Sequence, residues 1–419
     1  MTAGTESDQP RRVFLTGMFD MKNFGDLLFP LVAREALARF AIETVAVSPS
    51  GAAIDFEDAE RSISFREFLE AGASGNGVLI GGGYIIHCHP MYFLENYAAE
   101  GLTDLAGPAL WLGATLAASM HDIPIAWNAP GVPHPLPKGR HALIQAALRA
   151  ADYLSLRDTG SLELIAAPQD LPVKIVPDPI AGIARVCDRK SLDAPFRRFL
   201  ERKGCARDAQ LCAVHARDRS LAGLGAAGLA ALIDTFCANQ GLTPVLVAVG
   251  QAHDDDRTAR EIASCMSGPH VMLDDPSSLR EIAAVLANSR LYAGSSLHGY
   301  IVAAAYDVPG VLIAKPSYRK FSGFLDHTGR AEDLAHDWAP GFALAAQRLR
   351  EHVPMIPPSV HDALHSHWRT IASELSQPER GRARRNDFLR VWFKEGLQAG
   401  NLAWANLPFA RPRVLNGKE

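Results

Sequence analysis

The run Gly294-Ser295-Ser296-Leu297-His298-Gly299 sets small residues and an imidazole directly ahead of an apolar stretch reaching Tyr306. Small residues at a helix start leave the first amides beside the positive end of the dipole, which is the chemistry of an anion site. Imidazole titrates near neutral pH, so His298 in the first turn is a candidate general acid. The plainer alternative is Ser295 as an N-cap and His298 as a satisfied polar residue. The run is not the nucleophile elbow G-x-S-x-G, because His298 stands where glycine is required. Earlier in the chain, His215-Ala216-Arg217 closes an apolar run with a fixed cation, and His253 precedes Asp254, Asp255 and Asp256. At least two of those aspartates read as a solvated loop.

Three more loops carry polar chemistry. In Gly17–Asp26 (GMFDMKNFGD), Gly25 permits a close turn, and Asn23 and Asp26 either cap the following helix or face a cleft. A dinucleotide fingerprint G-x-G-x-x-G is absent there. Gly81, Gly82 and Gly83 let backbone amides approach a ligand or another segment. His87-Cys88-His89 follows, but an H-x-H pair lacks the third and fourth ligands of a metal site, and no metal is expected. Arg157, in Ser155-Leu156-Arg157-Asp158, sits at a strand end where it meets an anion or pairs with a carboxylate.

These loops need strands and helices to hold them. Short continuous apolar runs recur at Arg12–Thr16, Thr44–Val47, Gly77–Ile80, Pro124–Asn128, Tyr153–Leu156 and Val173–Val176, alternating with helical stretches such as Leu27–Phe40 and Ala142–Ala151. A second series follows a charged segment, Arg189–Lys203: Gln210–His215, Thr243–Val249, Val271–Leu273, Leu291–Ala293 and Gly310–Ile313. Runs without alternation are those of parallel strands covered on both faces. The fold class is therefore α/β, with two Rossmann-like domains facing a cleft at residues 12–185 and 186–375, and a basic, aromatic tail at 376–419.

Composition narrows the function. The chain has 419 residues, 42 Lys and Arg, 46 Asp and Glu, and a formal charge of −4, so no overall basic field exists to grip nucleic acid. Residues 376–419 carry a local +5, leaving −9 for the rest. There Arg380, Arg382, Arg384 and Arg385 precede Phe388, Trp392, Phe393, Trp404 and Phe409. That pattern suits either an anionic membrane surface or a helix packed across both domains with its arginines in water. Six scattered cysteines form no C-x-x-C pair and fit a reducing compartment. The longest uncharged stretches, Ala106–Met120 and Leu291–Tyr306, are too short to span a bilayer. An intracellular protein without a signal peptide is expected.

Taken together, N-F-G-D at Asn23–Asp26, the glycines 81–83, S-x-R-D at Ser155–Asp158, P-D-P at Pro177–Pro179, the His253/Asp run and S-L-H-G followed by Val308-Pro309 resemble the polysaccharide pyruvyl transferase family. The resemblance covers about residues 12–330 and implies a GT-B-like pair of domains. It implies transfer of pyruvate, as a ketal, from phosphoenolpyruvate to a saccharide that lipid-linked assembly can present at the inner face of a membrane, with no cofactor. His298 would be the general acid. Arg217, the amides of Ser295 and Ser296, and Lys320 would hold the donor, with Arg319 in reserve. Asn23, Asp26, Gly81, Gly82, Gly83, Arg157 and His253 would line the cleft or the acceptor side. Many family members carry Arg where this chain has Ser296, so the donor must lean on other cations. A nucleotide-sugar glycosyltransferase or a non-catalytic member on the same fold are the rival expectations.

Overall fold

The computed structural model describes residues 10–405 apart from 72–73, 93, 318 and 352. Phe409 therefore lies outside the described residues. The first sheet contains β1 (Arg11–Thr16), β2 (Ile42–Ser48), β3 (Ile63–Ser64), β4 (Gly77–Ile80) and β5 (Ile125–Trp127). Its order is β3-β2-β1-β4-β5, all parallel. A parallel bridge from Ala126 to Tyr153 leads on to the small pair β6 (Ser155–Leu156) and β7 (Lys174–Ile175). The second sheet contains β8 (Leu211–His215), β9 (Thr243–Val247), β10 (Val271–Leu273), β11 (Leu291–Gly294), β12 (Gly310–Ile313) and β13 (Leu334–Ala335), in the order β10-β9-β8-β11-β12-β13. The two-residue strands β3 and β13 lie at sheet edges and are too short to leave an apolar pattern in sequence.

In both sheets the winding reverses beside the first strand. In the first, β1 leads outward to β2 and β4 leads the other way to β5; in the second, β8 and β11 do the same. Loops leaving the carboxyl ends of such a neighbouring pair diverge and open a crevice. Those loops are the ones carrying Asn23–Asp26, Gly81–His89, Arg217 and Ser295–His298, so strand order, and not proximity in sequence, gathers the chemistry. The helix Phe24–Ala38 packs between the halves, and one apolar core runs from Val13 and Phe29 through Tyr292 and Tyr300 to Trp368. Backbone hydrogen bonds also cross between the halves, from Phe24 N–H to Val249 (2.8 Å) and from Glu57 N–H to Ser277 (3.0 Å), and the Asp58 carboxylate accepts from Leu279 N–H (2.7 Å).

The C-terminal region departs from expectation. Helix Pro358–Glu374 returns to the first half, where buried His367 bonds Tyr153 and Asn128, each at 3.0 Å. The next helix, Arg382–Ala405, lies on helices His141–Ala150 and Ala114–Met120 of that same half, not across both. Its arginines are not simply in water. Arg385 is wholly buried between Asp122 (2.9 Å) and Asp152 (3.0 Å), and Arg384 pairs with Asp152 at 2.8 Å. Arg382 pairs with Asp122, Arg380 with Glu374, and Arg390 with Asp387. Among the described residues no helix is long and apolar enough to cross a membrane.

Candidate functional site

A cleft of about 670 Å³ opens at the carboxyl ends of both sheets. The first half supplies one wall, with Met18, Met21, Asn23, Asp26, Tyr84, Ile85, His87, His89, Pro90, Met91, Pro133, His134 and Arg157. The second supplies the other, with Arg217, Arg219, His253, Ser296, Leu297, His298, Ser317, Arg319 and Lys320.

His298 lies in the first turn of helix Leu297–Ala305. The cap is Ser296, whose hydroxyl accepts from the Gly299 amide at 3.2 Å. The imidazole reaches across the cleft into the first half. Its Nε2 is 3.6 Å from the Asp178 carboxylate, its ring meets the edge of Phe29, and its Nδ1 lies where a Cβ on Gly25 would fall. Gly25 is thus required for close approach rather than for a positive φ. Ser295 stands one residue behind the cap and off the cleft surface. Its amide donates to the His215 carbonyl (3.0 Å) and its hydroxyl accepts from Arg217 N–H (3.2 Å), so the Ser295 amide is spent and is no anion ligand.

Two guanidinium groups flank the imidazole. Arg157 is 4% exposed, lies 3.9 Å over the Tyr84 ring, and has Asp158 at 3.5 Å from Nε and Asp178 at 3.7 Å from Nη1. Neither distance is a hydrogen bond in good geometry, and Nε and Nη2 have no hydrogen-bond partner. These two atoms form one side of the guanidinium fork, the geometry that receives a carboxylate or phosphate through two bonds. Arg217, at the end of β8, points Nε at Asp255 from 3.6 Å, and the other Asp255 oxygen is held 2.8 Å from His215 Nε2. Of the thirteen buried side-chain polar atoms without a hydrogen-bond partner among the described residues, seven belong to Arg157, Asp158, Asp178, Arg217, Asp255 and His298. Buried polar atoms are ordinarily hydrogen-bonded; here most of these atoms face one another as ion pairs at 3.5–3.7 Å, around Arg157, Arg217 and His298 of the cleft wall.

The carboxylates on either side of His298 differ. Burial pushes Asp26 up, against the pull of His298, Lys320, Arg157 and a 2.6 Å hydrogen bond from Asn23. Asp178 is also buried, which acts to raise it, but the facing His298 and Arg157 outweigh burial and hold it below the usual carboxylate range. Burial and the charges of Arg217 and Arg157 bring Lys320 down to about 7. Burial and Arg217 bring His253 down to about 4, so it is uncharged at neutral pH.

The three glycines sit elsewhere than the sequence placed them, and the alternatives left open at other positions are decided. Gly81, Gly82 and Gly83 are buried and off the cleft lining. A side chain at Gly81 would meet the Thr16 carbonyl, one at Gly82 the Phe29 ring, and Gly83 has φ +84° with Asp26 Oδ1 at its missing Cβ. These glycines let β4 and its loop close on β1 and on the helix bearing Asp26. His253 lines the cleft, on the second half's wall beside Arg217. Arg319 spends its guanidinium on the carbonyls of Gly160 (3.2 Å) and Pro133 (3.0 Å). Asn23 occupies the N-cap position without capping and donates instead to Asp26. Asp254 is exposed and Asp256 pairs with Arg260, whereas Asp255 is fully buried.

Asp178, Tyr84 and His134 also belong to the cleft region and were not singled out by their sequence. The proline-flanked Asp178 carried a motif but no role, and Tyr84 and His134 left no local signal. Among the described residues no group of three or more His, Cys, Asp or Glu side chains is placed to hold a metal ion.

A model of the family described as polysaccharide pyruvyl transferase matches residues 23–315. No curated protein matches the chain in sequence. Among solved structures, it is similar to a UDP-N-acetylglucosamine 2-epimerase from Rickettsia bellii, with TM-score 0.55 and 11% identity over 89% of this chain and 98% of that one. The UDP-GlcNAc 2-epimerase of Methanocaldococcus jannaschii gives TM-score 0.54 and 10% identity, covering 86% of this chain and 99% of that one. The enzyme from Neisseria meningitidis, bound to UDP-GlcNAc, gives 0.52 and 9%, covering 87% and 100%. At these identities the likeness concerns the fold, which is the two-domain GT-B arrangement.

Proposed function

This chain belongs to the polysaccharide pyruvyl transferase family, and on that premise we propose that it moves pyruvate from phosphoenolpyruvate onto two hydroxyls of a saccharide as a ketal. The observation that carries the reading is a cleft lined by Arg157 on one wall and by Arg217 and His298 on the other, with guanidinium atoms on both arginines that no side chain holds by a hydrogen bond. Phosphoenolpyruvate presents two anionic groups on three carbons and suits two such cations. With Ser296 in place of arginine, the donor is held by Arg217, Lys320 and Arg157.

His298 protonates the methylene carbon while a sugar hydroxyl bonds to the adjacent carbon. Asp26, raised by burial, takes that hydroxyl's proton, and Asp178, held ionised, faces the imidazole across the cleft. Environments that push two carboxylates apart divide such roles between them. Phosphate then leaves, and a second hydroxyl bonds to the same carbon and gives up its proton. One hydroxyl proton is thereby replaced on the methyl group and the other departs with phosphate. No metal or cofactor is assigned to these steps. A membrane-borne acceptor would meet the C-terminal helix through exposed Phe393 and Leu397, since its arginines are paired.

The test is ligand-induced stabilisation followed by turnover. Phosphoenolpyruvate should raise the melting temperature and UDP should not. Stabilisation by UDP alone would replace this reading with nucleotide-sugar chemistry.

A further inference from the structure

One part of the cleft is left unused by the donor and by the groups that handle protons. Beyond Asp26 and Arg157, the first half's wall has no carboxylate, guanidinium or ammonium group and consists of Met18, Met21, Ile85, Met91, Asn23, Pro90 and Pro133 beside Tyr84 and three histidines. His87 and His89 stack with ring centroids 6.3 Å apart, and His134 meets His89 edge-on at 4.8 Å. The rings grade outward from the buried His87 to the exposed His89 and His134. All three line the same cleft as His298.

The innermost ring is held before any ligand arrives. His87 Nδ1 accepts from the His89 amide (3.2 Å), and the His87 carbonyl accepts from the Trp111 indole (3.1 Å). Gly107 leaves room for the His87 ring against its helix. Arg319 pins Pro133, the neighbour of His134, from the opposite wall. Burial and the neighbouring histidines hold His87 down to about 4, and burial also lowers His134. A wall that is partly aromatic, set with imidazole nitrogens and without carboxylate, guanidinium or ammonium groups beyond Asp26 and Arg157 suits a molecule with apolar faces and a hydroxyl rim.

We infer that His87, His89 and His134 form a subsite for a second, neutral sugar ring next to the one that receives pyruvate, so that the acceptor is an oligosaccharide of neutral sugars. The inference rests on the pyruvyl-transfer reading for the identity of the neighbouring ring. A ring already held in place binds without an ordering cost, which makes the buried His87 the fixed member of the trio.

The experiment is an array of neutral and acidic glycans probed with the full-length protein at saturating phosphoenolpyruvate, using wild type and a His89→Ala/His134→Ala variant. Both positions are exposed, so folding is not at stake, and the variant's thermal stabilisation by phosphoenolpyruvate is measured as the control. Binding to neutral oligosaccharides over the matching monosaccharides, with at least tenfold loss in the variant and an unchanged donor response, is the expected result. Equal binding by the variant, equal binding of monosaccharides, preference for acidic glycans, or no bound glycan overturns the subsite. Failure of the wild type to respond to phosphoenolpyruvate, with neutral glycans still bound through the histidines, counts against the pyruvyl-transfer reading instead.

Discussion

The loops after β1 and β4 and those after β8 and β11 hold equivalent places in two parallel sheets, yet they build opposite walls. The second half's wall is cationic, with Arg217, Arg219, Arg319 and Lys320. The first half's wall, outside Asp26 and Arg157, is apolar and histidine-rich. The same contrast holds within each wall's glycine-bearing loop. Gly294-Ser295-Ser296 opens a helix that delivers His298 to the cleft, whereas Gly81–Gly83 disappears into packing against Thr16, Phe29 and Asp26. One strand pattern repeated twice thus yields a cationic side and an apolar, histidine-bearing side, because strand order fixes where the loops emerge and the local residues fix what each wall is made of.

Substitutions can break this division, and the largest effect is expected at its centre. His298→Ala should lower ketal formation by about 10²–10⁴-fold, the usual worth of general acid catalysis, while phosphoenolpyruvate still stabilises the protein. Near-normal turnover would remove His298 from the mechanism. Gly25→Ala should follow closely, since its methyl group would fall on the imidazole. A loss of about 10²-fold in kcat with donor affinity retained is expected from displacing an aligned group, and phosphate release kinetics would read it. On the cationic wall, Arg217→Ala should weaken phosphoenolpyruvate binding by about 10–100-fold, in keeping with hydrogen bonds between charged groups. Asp255→Asn should act through the same guanidinium, so titration calorimetry on the double variant should show little further loss; full additivity would separate the two residues.

The effect of pH is smaller and has a definite sign. Lys320 is charged below about 7 and neutral above it, so donor affinity should fall as pH rises through 7, and Lys320→Met should flatten the curve. An unchanged slope in that variant would assign the dependence to another group. The smallest effect on turnover belongs away from both walls. Arg385→Ala removes the wholly buried guanidinium between Asp122 and Asp152 but leaves them Arg382 and Arg384, so it should cost less stability than the about 3–5 kcal/mol of a fully unpaired buried charge. At temperatures where the protein stays folded, kcat should hardly move.

Much of the fold was legible because parallel strands covered on both faces write continuous apolar runs. Gly77–Ile80, Val271–Leu273 and Gly310–Ile313 appear with the bounds read from sequence. The edge strands β3 and β13 were not, since two residues leave no periodicity. In the site, Asn23, Asp26, Arg157, Arg217, His253, Ser296, His298 and Lys320 all reach the cleft. Ser295 and the three glycines do not. Small residues at a strand end serve close packing as readily as ligand approach, and only the neighbours decide between them.

By itself the sequence determined the two α/β halves, the loops that bear polar chemistry and the family resemblance, because these depend on local patterns of residue type. The tertiary structure alone decided that Asp178 faces both His298 and Arg157, that Asp255 aligns Arg217, and that His134 joins His87 and His89. It also turned the basic tail from a free charge into a helix held by Asp122 and Asp152. Charges and imidazoles act over a few ångströms of space, and chain order does not encode those distances until the sheets have wound and closed upon each other.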